Sequence, residues 1–311
     1  MPLILDPKEL ESLIEKNRAM AKDGQAASYI PELATADTNT LGLSIAPLNG
    51  QTVTIGDCGK PFTMQSISKV ISLMFVLMES GFEAVFSKVG MEPSGEPFNS
   101  ISKLEATEDK RPLNPMINAG AIAVASMIQG KNVNDRFNKV VAFIHKITSN
   151  KDIDLNERVY QSEIATGDRN RSLAFFMKSL GVIETDVTDA LDLYFRLCSI
   201  DVKCADLAHI GAFLANNGVI PGTHERLVDA KIVKAVNTIM FTAGMYNESG
   251  ESAMRTGLPA KSGVSGGILA VVPGIAGIGI IGPAINKKGN SIAGLHLLAD
   301  LSKRYGWHLF K

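Results

Sequence analysis

Lys261-Ser262-Gly263-Val264-Ser265-Gly266-Gly267-Ile268-Leu269-Ala270-Val271-Val272-Pro273-Gly274-Ile275-Ala276-Gly277-Ile278-Gly279-Ile280-Ile281 is the stretch on which the fold turns. No charged residue occurs from 262 to 286, a length that would suit a membrane span. Pro273 and Pro283 interrupt it, however, together with Gly266, Gly267, Gly274, Gly277, Gly279 and Gly282. The segment therefore reads as two buried strands, 268–272 and 275–281, around a Pro273-Gly274 turn.

Outward from this pair, β-type runs recur only near the other end of the chain. Residues 43–46 and 53–55 flank Asn49-Gly50, a hairpin signal because both central residues tolerate positive φ. Residues 66–79, 121–127, 137–147, 172–180, 187–198 and 205–214 carry helical apolar patterns between Gly, Pro and Asn breaks. Leu10, Leu13 and Ile14 predict an amphipathic helix over 7–22, and 291–305 reads as a closing helix. This order predicts an α+β fold: an antiparallel sheet built from both chain ends, flanked by N- and C-terminal helices, with an all-helical domain inserted. The expected division is 1–65 plus 240–311 for the sheet domain and 66–239 for the helical one, and 311 residues suit two domains.

Lys plus Arg is 31 and Asp plus Glu is 32, a net charge of −1. That balance offers no positive surplus to nucleic acid or to an anionic membrane, so neither is an expected partner. Three cysteines (Cys58, Cys198, Cys204) are too few for a disulfide framework and suit a reducing compartment. Cys198 and Cys204 are expected to be buried, inert thiols. No signal-peptide pattern opens the sequence, and the expected location is cytoplasmic. The five histidines are scattered without ligand spacing, and no phosphate-cradling glycine loop is present, so neither a metal nor a cofactor is expected.

What remains is a Ser/Lys system. Ser66-Ile67-Ser68-Lys69 opens an apolar helix, and a spacing of three places Ser66 and Lys69 on one face. A serine hydroxyl needs a base to act as nucleophile, and a buried lysine can be that base because desolvation disfavours its ammonium. Ser68, next to Lys69, points to another face. Lys261-Ser262-Gly263 is expected on an inner strand, where Gly263, Ser265 and Gly266 allow close approach and the Val264 N–H faces a developing oxyanion. A Ser-x-x-Lys helix beside a Lys-Ser/Thr-Gly strand is the frame of the penicillin-binding and serine β-lactamase enzymes. Their Ser-x-Asn motif is missing, and Met116-Ile117-Asn118 is its nearest counterpart.

The sequence resembles the bacterial-type serine-dependent glutaminases, a family of β-lactamase-like fold. The resemblance runs from Tyr29-Ile30-Pro31-Glu32-Leu33-Ala34 through Gln65-Ser66-Ile67-Ser68-Lys69, Glu96-Pro97-Phe98-Asn99-Ser100 and Pro115-Met116-Ile117-Asn118-Ala119-Gly120. It continues through Ser162-Glu163, Gly167-Asp168-Arg169-Asn170, Leu197-Cys198-Ser199-Ile200, Gly244-Met245-Tyr246 and Gly257-Leu258-Pro259-Ala260-Lys261-Ser262-Gly263-Val264.

The resemblance implies hydrolysis of L-glutamine through an acyl-enzyme on Ser66, with Lys69 as base. It implies that Tyr246 relays a proton to the leaving ammonia and that Tyr29 lines the pocket. It also implies a glutamine site of Asn118, Glu163, Asn170, Tyr194 and Tyr246 with the backbone of Ser66 and Val264, and a homodimer or homotetramer. Taken singly, Glu163 reads as a solvated helix residue, each tyrosine as a half-buried packing residue with its hydroxyl satisfied, and Lys261 as a second active-site cation or a structural group. A penicillin-interacting serine hydrolase and an inactive glutamine-binding protein are the alternatives.

Overall fold

The computed structural model describes residues 3–97, 99–100 and 110–310. Phe98, within one of the family-like segments, lies outside the described residues.

Five antiparallel strands form the central sheet: β1 (Gly42–Pro47), β2 (Val53–Gly56), β5 (Ala260–Ser262), β6 (Gly267–Val272) and β7 (Ala276–Ile281), in the order β2-β1-β7-β6-β5. The uncharged run thus forms strands, and β6 and β7 are buried along their whole length because both faces of the sheet are covered. Two short strands, β3 (Phe62–Thr63) and β4 (Asp201–Val202), pair separately.

Residues of alternate parity on β6 and β7 enter different cores. Ile268, Ala270, Val272, Ile278 and Ile280 pack with Leu10 and Ile14 of helix α1 (Pro7–Arg18) and Leu297, Leu298 and Leu301 of the C-terminal helix, Ile292–Tyr305. Leu269 and Val271 face the opposite way, into the large helical core. That core contains α2 (Ser68–Lys88), α3 (Asn118–Met127), α4 (Val133–Thr148), α5 (Glu157–Thr166), α6 (Asp168–Ser179), α7 (Val187–Cys198), α8 (Cys204–Ala215) and α9 (Ala230–Ala243). After α9 come α10 (Ser249–Thr256) and the C-terminal helix, α11.

Helix α8 lies directly on β1, β6 and β7. Glycine makes this approach possible: a Cβ at Gly277 would collide with the backbone of Ala208 and Ala212. Helix α2 alone among the described residues has the length and apolarity of a membrane span, but Val70, Ile71, Leu73, Met74, Val76 and Leu77 are buried in the helical core.

Three expectations require correction. The first helix ends at Arg18 and continues as a 3₁₀ turn, Ala19–Asp23. The β1–β2 connection is not the tight turn that Asn49-Gly50 suggested. Positive φ occurs at Gly50 but not at Asn49, and the last paired residues are Ile45 and Val53. The tip is longer because β1 runs on to Pro47 to pair with β7. Finally, β5 is an edge strand rather than an inner one. Its outer side meets α9 and the turn that carries Ser66.

Candidate active site

Ser66 sits in a 3₁₀ turn, Gln65–Ile67, two residues before α2 begins. The turn is held by the Ile67 amide donating to Met64 O at 3.0 Å and the Ser68 hydroxyl donating to Gln65 O at 2.8 Å. Gln65 takes φ +49°, a left-handed conformation that non-glycine residues enter only where surrounding structure enforces it. Two contacts enforce it here. The Ser265 hydroxyl donates to Thr63 O at 2.7 Å, and Gly263 lies so close that a Cβ there would stand 2.6 Å from Met64 O. The end of the Lys261-Ser262-Gly263 strand is thereby clamped to the segment that presents the serine.

Lys69 is completely enclosed, 1% exposed. Its amine donates to Asn118 Oδ1 at 2.7 Å and to Met116 O at 3.2 Å; among the described residues it has no hydrogen bond to Ser66 Oγ. Burial lowers its pKa to about 8. Asn118 is the first residue of α3, placed there because Asn114 Oδ1 accepts from the Met116 and Ile117 amides at 2.9 and 3.2 Å. The other end of the Asn118 amide donates to Asn170 Oδ1 at 3.0 Å, which joins α3 to α6.

On the opposite wall, Tyr246 also takes positive φ, +53°. Its phenol donates to Ser262 O at 3.2 Å and hydrogen-bonds Ser66. The same Ser262 carbonyl accepts from the Lys261 amine at 2.6 Å, and that amine stands 4.3 Å from the Tyr246 ring centroid. Lys261 is fully buried, and burial together with the nearby Lys69 charge holds its pKa far down. Its placement beside Tyr246 leaves both sequence readings of this lysine compatible with the geometry.

Glu163, on α5, is buried; loss of hydration pushes its carboxyl up to about 7, against the hydrogen bond from Gln65 and the charge of Lys69. Tyr194 on α7 is buried beside it.

One cavity of about 90 Å³ is bordered by Tyr29, Ser66, Asn118, Glu163, Asn170, Tyr194 and Val264 among others, while Lys69 is not part of its lining. A larger cavity, about 970 Å³, adjoins it and shares Val264, but Ser66, Asn118 and Glu163 do not line it. The expected site residues therefore gather at the smaller one. Neither the Ser66 nor the Val264 amide finds an acceptor among the described residues, so both donors are open to a ligand. Tyr29 is 52% exposed at the mouth, and its hydroxyl has no partner among the described residues. Lys261, Ser262 and Tyr246 stand behind the cavity wall.

Sequence reasoning missed Gln65, Cys198 and Arg169, which also line the cavity. Cys198 lies one helical turn beyond Tyr194, so the i, i+4 spacing on α7 could have found it. Its thiol is pushed up to about 12 by burial and by Glu163. It is buried, as expected, but it faces the site.

An antiparallel sheet with a helical insert, and a Ser-x-x-Lys turn clamped to the edge strand, define the class by its architecture: the β-lactamase-like fold. The glutaminase family model matches residues 24–310. A glutaminase of Clostridium tetani is 52% identical over 302 residues, 97% of this chain and 99% of that protein. A crystal structure of a probable glutaminase from Bacillus subtilis superposes with a TM-score of 0.92 at 36% identity, covering 98% of this chain and 97% of the other. A probable glutaminase from Bacillus subtilis complexed with 6-diazo-5-oxo-L-norleucine gives 0.91 at 35% identity, covering 100% and 98%. The chain belongs to the glutaminase family, whose members are amidohydrolases.

Proposed function

We propose that this chain hydrolyses L-glutamine to L-glutamate and ammonia, with Ser66 as the acylated nucleophile. The observation that carries the reading is Ser66 at the wall of a cavity with two open amide donors, with the Tyr246 phenol beside it and the buried Lys69 amine three residues on along the chain. Family membership supplies the substrate class.

In this scheme Lys69, neutral above about pH 8, accepts the Ser66 proton as Oγ attacks the side-chain carboxamide carbon. The oxyanion meets the Ser66 and Val264 amides. Tyr246 passes a proton to the amide nitrogen, the C–N bond breaks and ammonia departs. Water then attacks the ester carbon and gives a proton to Tyr246, and glutamate leaves as Oγ regains its hydrogen. Glu163 in its carboxylate form pairs with the substrate ammonium. Asn118, Asn170 and Tyr194 hold the other polar groups, and Tyr29 closes the mouth. Lys261, Ser262 and Gly263 support Tyr246 and the clamp on the serine turn. Such complete pairing discriminates strongly, because an analogue lacking a group would leave a buried site unpaired.

The division into 1–65 plus 240–311 and 66–239, with the cavity between, is part of this proposal. It is supported by the two apolar cores on either side of the sheet. A homodimeric or homotetrameric state and a cytoplasmic location complete the reading. Ammonia release by Ser66→Ala tests the mechanism: activity should fall by at least about 10³-fold, in the range seen when a covalent nucleophile is removed. Activity near the parent level would remove Ser66 from its role, and tight glutamine binding without turnover by the unaltered protein would mark a binding protein instead.

A further inference from the structure

Cys58 and Cys204 are far apart in sequence but meet on the sheet. Cys58 lies in the turn after β2, and Cys204 opens α8. With Ile281 they form a small buried cluster, closed by Phe62. The Cys58 sulfur rests over β1: a Cβ at Gly42 would stand 2.6 Å from it. Gly42 is paired in register with Ile281 of β7, whose backbone amide touches the Cys204 thiol. Each sulfur is therefore seated on one of two directly opposed residues of neighbouring strands, and the two share one buried cluster. Both are free thiols in this structure.

The two are not equivalent. Cys204 is completely enclosed, whereas Cys58 is 7% exposed, and its chain neighbours Asp57 and Gly59 line the larger cavity. The proximity of the two thiols favours the thiolate at Cys58 and disfavours it at Cys204. Closing the pair requires the sulfurs to approach to about 2.05 Å, with Cys58 giving up its hydrogen bond to Ile55 O at 3.4 Å. The space on the Gly59 side of the Cys58 turn is open, since a Cβ at Gly59 would meet nothing within 4 Å.

We propose that Cys58 and Cys204 are a reversible thiol–disulfide site, Cys58 reacting with hydroperoxides and Cys204 resolving the product. The Cys58 thiolate attacks one peroxide oxygen, the O–O bond breaks, and the departing alkoxide or hydroxide is protonated to an alcohol or water. Sulfur is thereby oxidised to a sulfenic acid. Cys204 then attacks that sulfur, the S–S bond forms, and the displaced hydroxide takes the Cys204 proton and leaves as water. Overall, two thiols and one hydroperoxide give one disulfide, one alcohol (water for hydrogen peroxide) and one water. Intracellular disulfides that form in this way are transient and redox-sensing rather than structural.

The test uses the whole protein. It is exposed to hydrogen peroxide at neutral pH, quenched with N-ethylmaleimide and digested for mass spectrometry. Two of the three thiols should be lost and a Cys58–Cys204 linked peptide should appear, both reversed by dithiothreitol. In Cys204→Ser the reaction should stop at a Cys58 sulfenic acid that dimedone captures. Cys58→Ser, a change outside the glutamine site, should keep its glutaminase activity and both remaining thiols. The proposal is overturned if both cysteines of the unaltered protein remain alkylatable at a peroxide dose that oxidises free glutathione. Linkage only between chains, or dimedone capture at Cys198 instead of Cys58, would also overturn it.

Discussion

Lys69 shows what the site costs the fold. Its amine has an ordinary pKa of 10.5 in the unfolded chain and about 8 when folded. The folded state therefore binds this proton less tightly, so stability falls as pH drops from 10.5 towards 8, and the full deficit applies below 8. That deficit is roughly 3 kcal/mol at 1.36 kcal/mol per pH unit. Replacing the amine by an apolar chain relieves it but strands the Asn118 and Met116 oxygens, at about 1 kcal/mol each. Lys69→Met should thus gain about 1 kcal/mol in urea unfolding at pH 7 and, under the proposed mechanism, lose turnover. A loss of stability would contradict the charge argument. The same two groups shape the pH–rate profile. With a Lys69 amine of about 8 and a Glu163 carboxyl of about 7 both needed deprotonated, log kcat/KM should rise with slope two below pH 7 and slope one up to pH 8, then level. Glu163→Gln should leave a single step near 8 and a raised KM. A profile flat across this range would refute the assignment. Ser66 and Lys69 could be proposed from their spacing together with the Lys261-Ser262-Gly263 strand. Asn118, Glu163, Asn170 and Tyr194 were not, since they lie on four different helices and only resemblance linked them. Gln65 and Cys198 escaped because each reads, by itself, as an ordinary core position.

At the scale of elements, the capped helices and the glycine contacts carry the position of the site. Helix α7, which bears Tyr194 and Cys198, starts at Asp186, whose carboxylate accepts from the Thr188 and Asp189 amides at 2.8 and 3.1 Å. Asp186→Ala should cost about 1 kcal/mol in chemical denaturation. Gly277→Val should cost more, about 3 kcal/mol or beyond, because α8 cannot yield without leaving three strands. Thermal midpoints measured side by side would rank the two, and the reverse order would refute the packing argument. The strands on either side of Pro273-Gly274 could be read from sequence because burial on both faces leaves an uncharged apolar run. The edge position of β5 could not, since three residues carry no signature of their neighbours. The Asn49-Gly50 pair misled for a related reason: long-range pairing of β1 with β7 extends the strand past the point where local turn chemistry would end it.

Across the whole molecule, β6 is the partition that both cores share, with Leu269 and Val271 on one side and Ile268, Ala270 and Val272 on the other. Neither core can melt without stripping a face from that strand. Unfolding in urea should therefore be one transition, with tyrosine fluorescence, far-ultraviolet dichroism and loss of turnover coincident. Leu73→Ala in the helical core should move that transition as a whole, by about 2–5 kcal/mol. Two separable steps would argue against a shared partition. The bare backbone of β7 against α8 has a further consequence, for how this protein can diverge. One side of the sheet is surfaced by isoleucines and leucines, which relatives can exchange for one another at little cost. The other, at Gly277 and Gly279, already holds the smallest residue there is, so every mutation there is an enlargement. Descendants of this chain are free to rewrite one face of the sheet and obliged, on the other, to copy these two glycines.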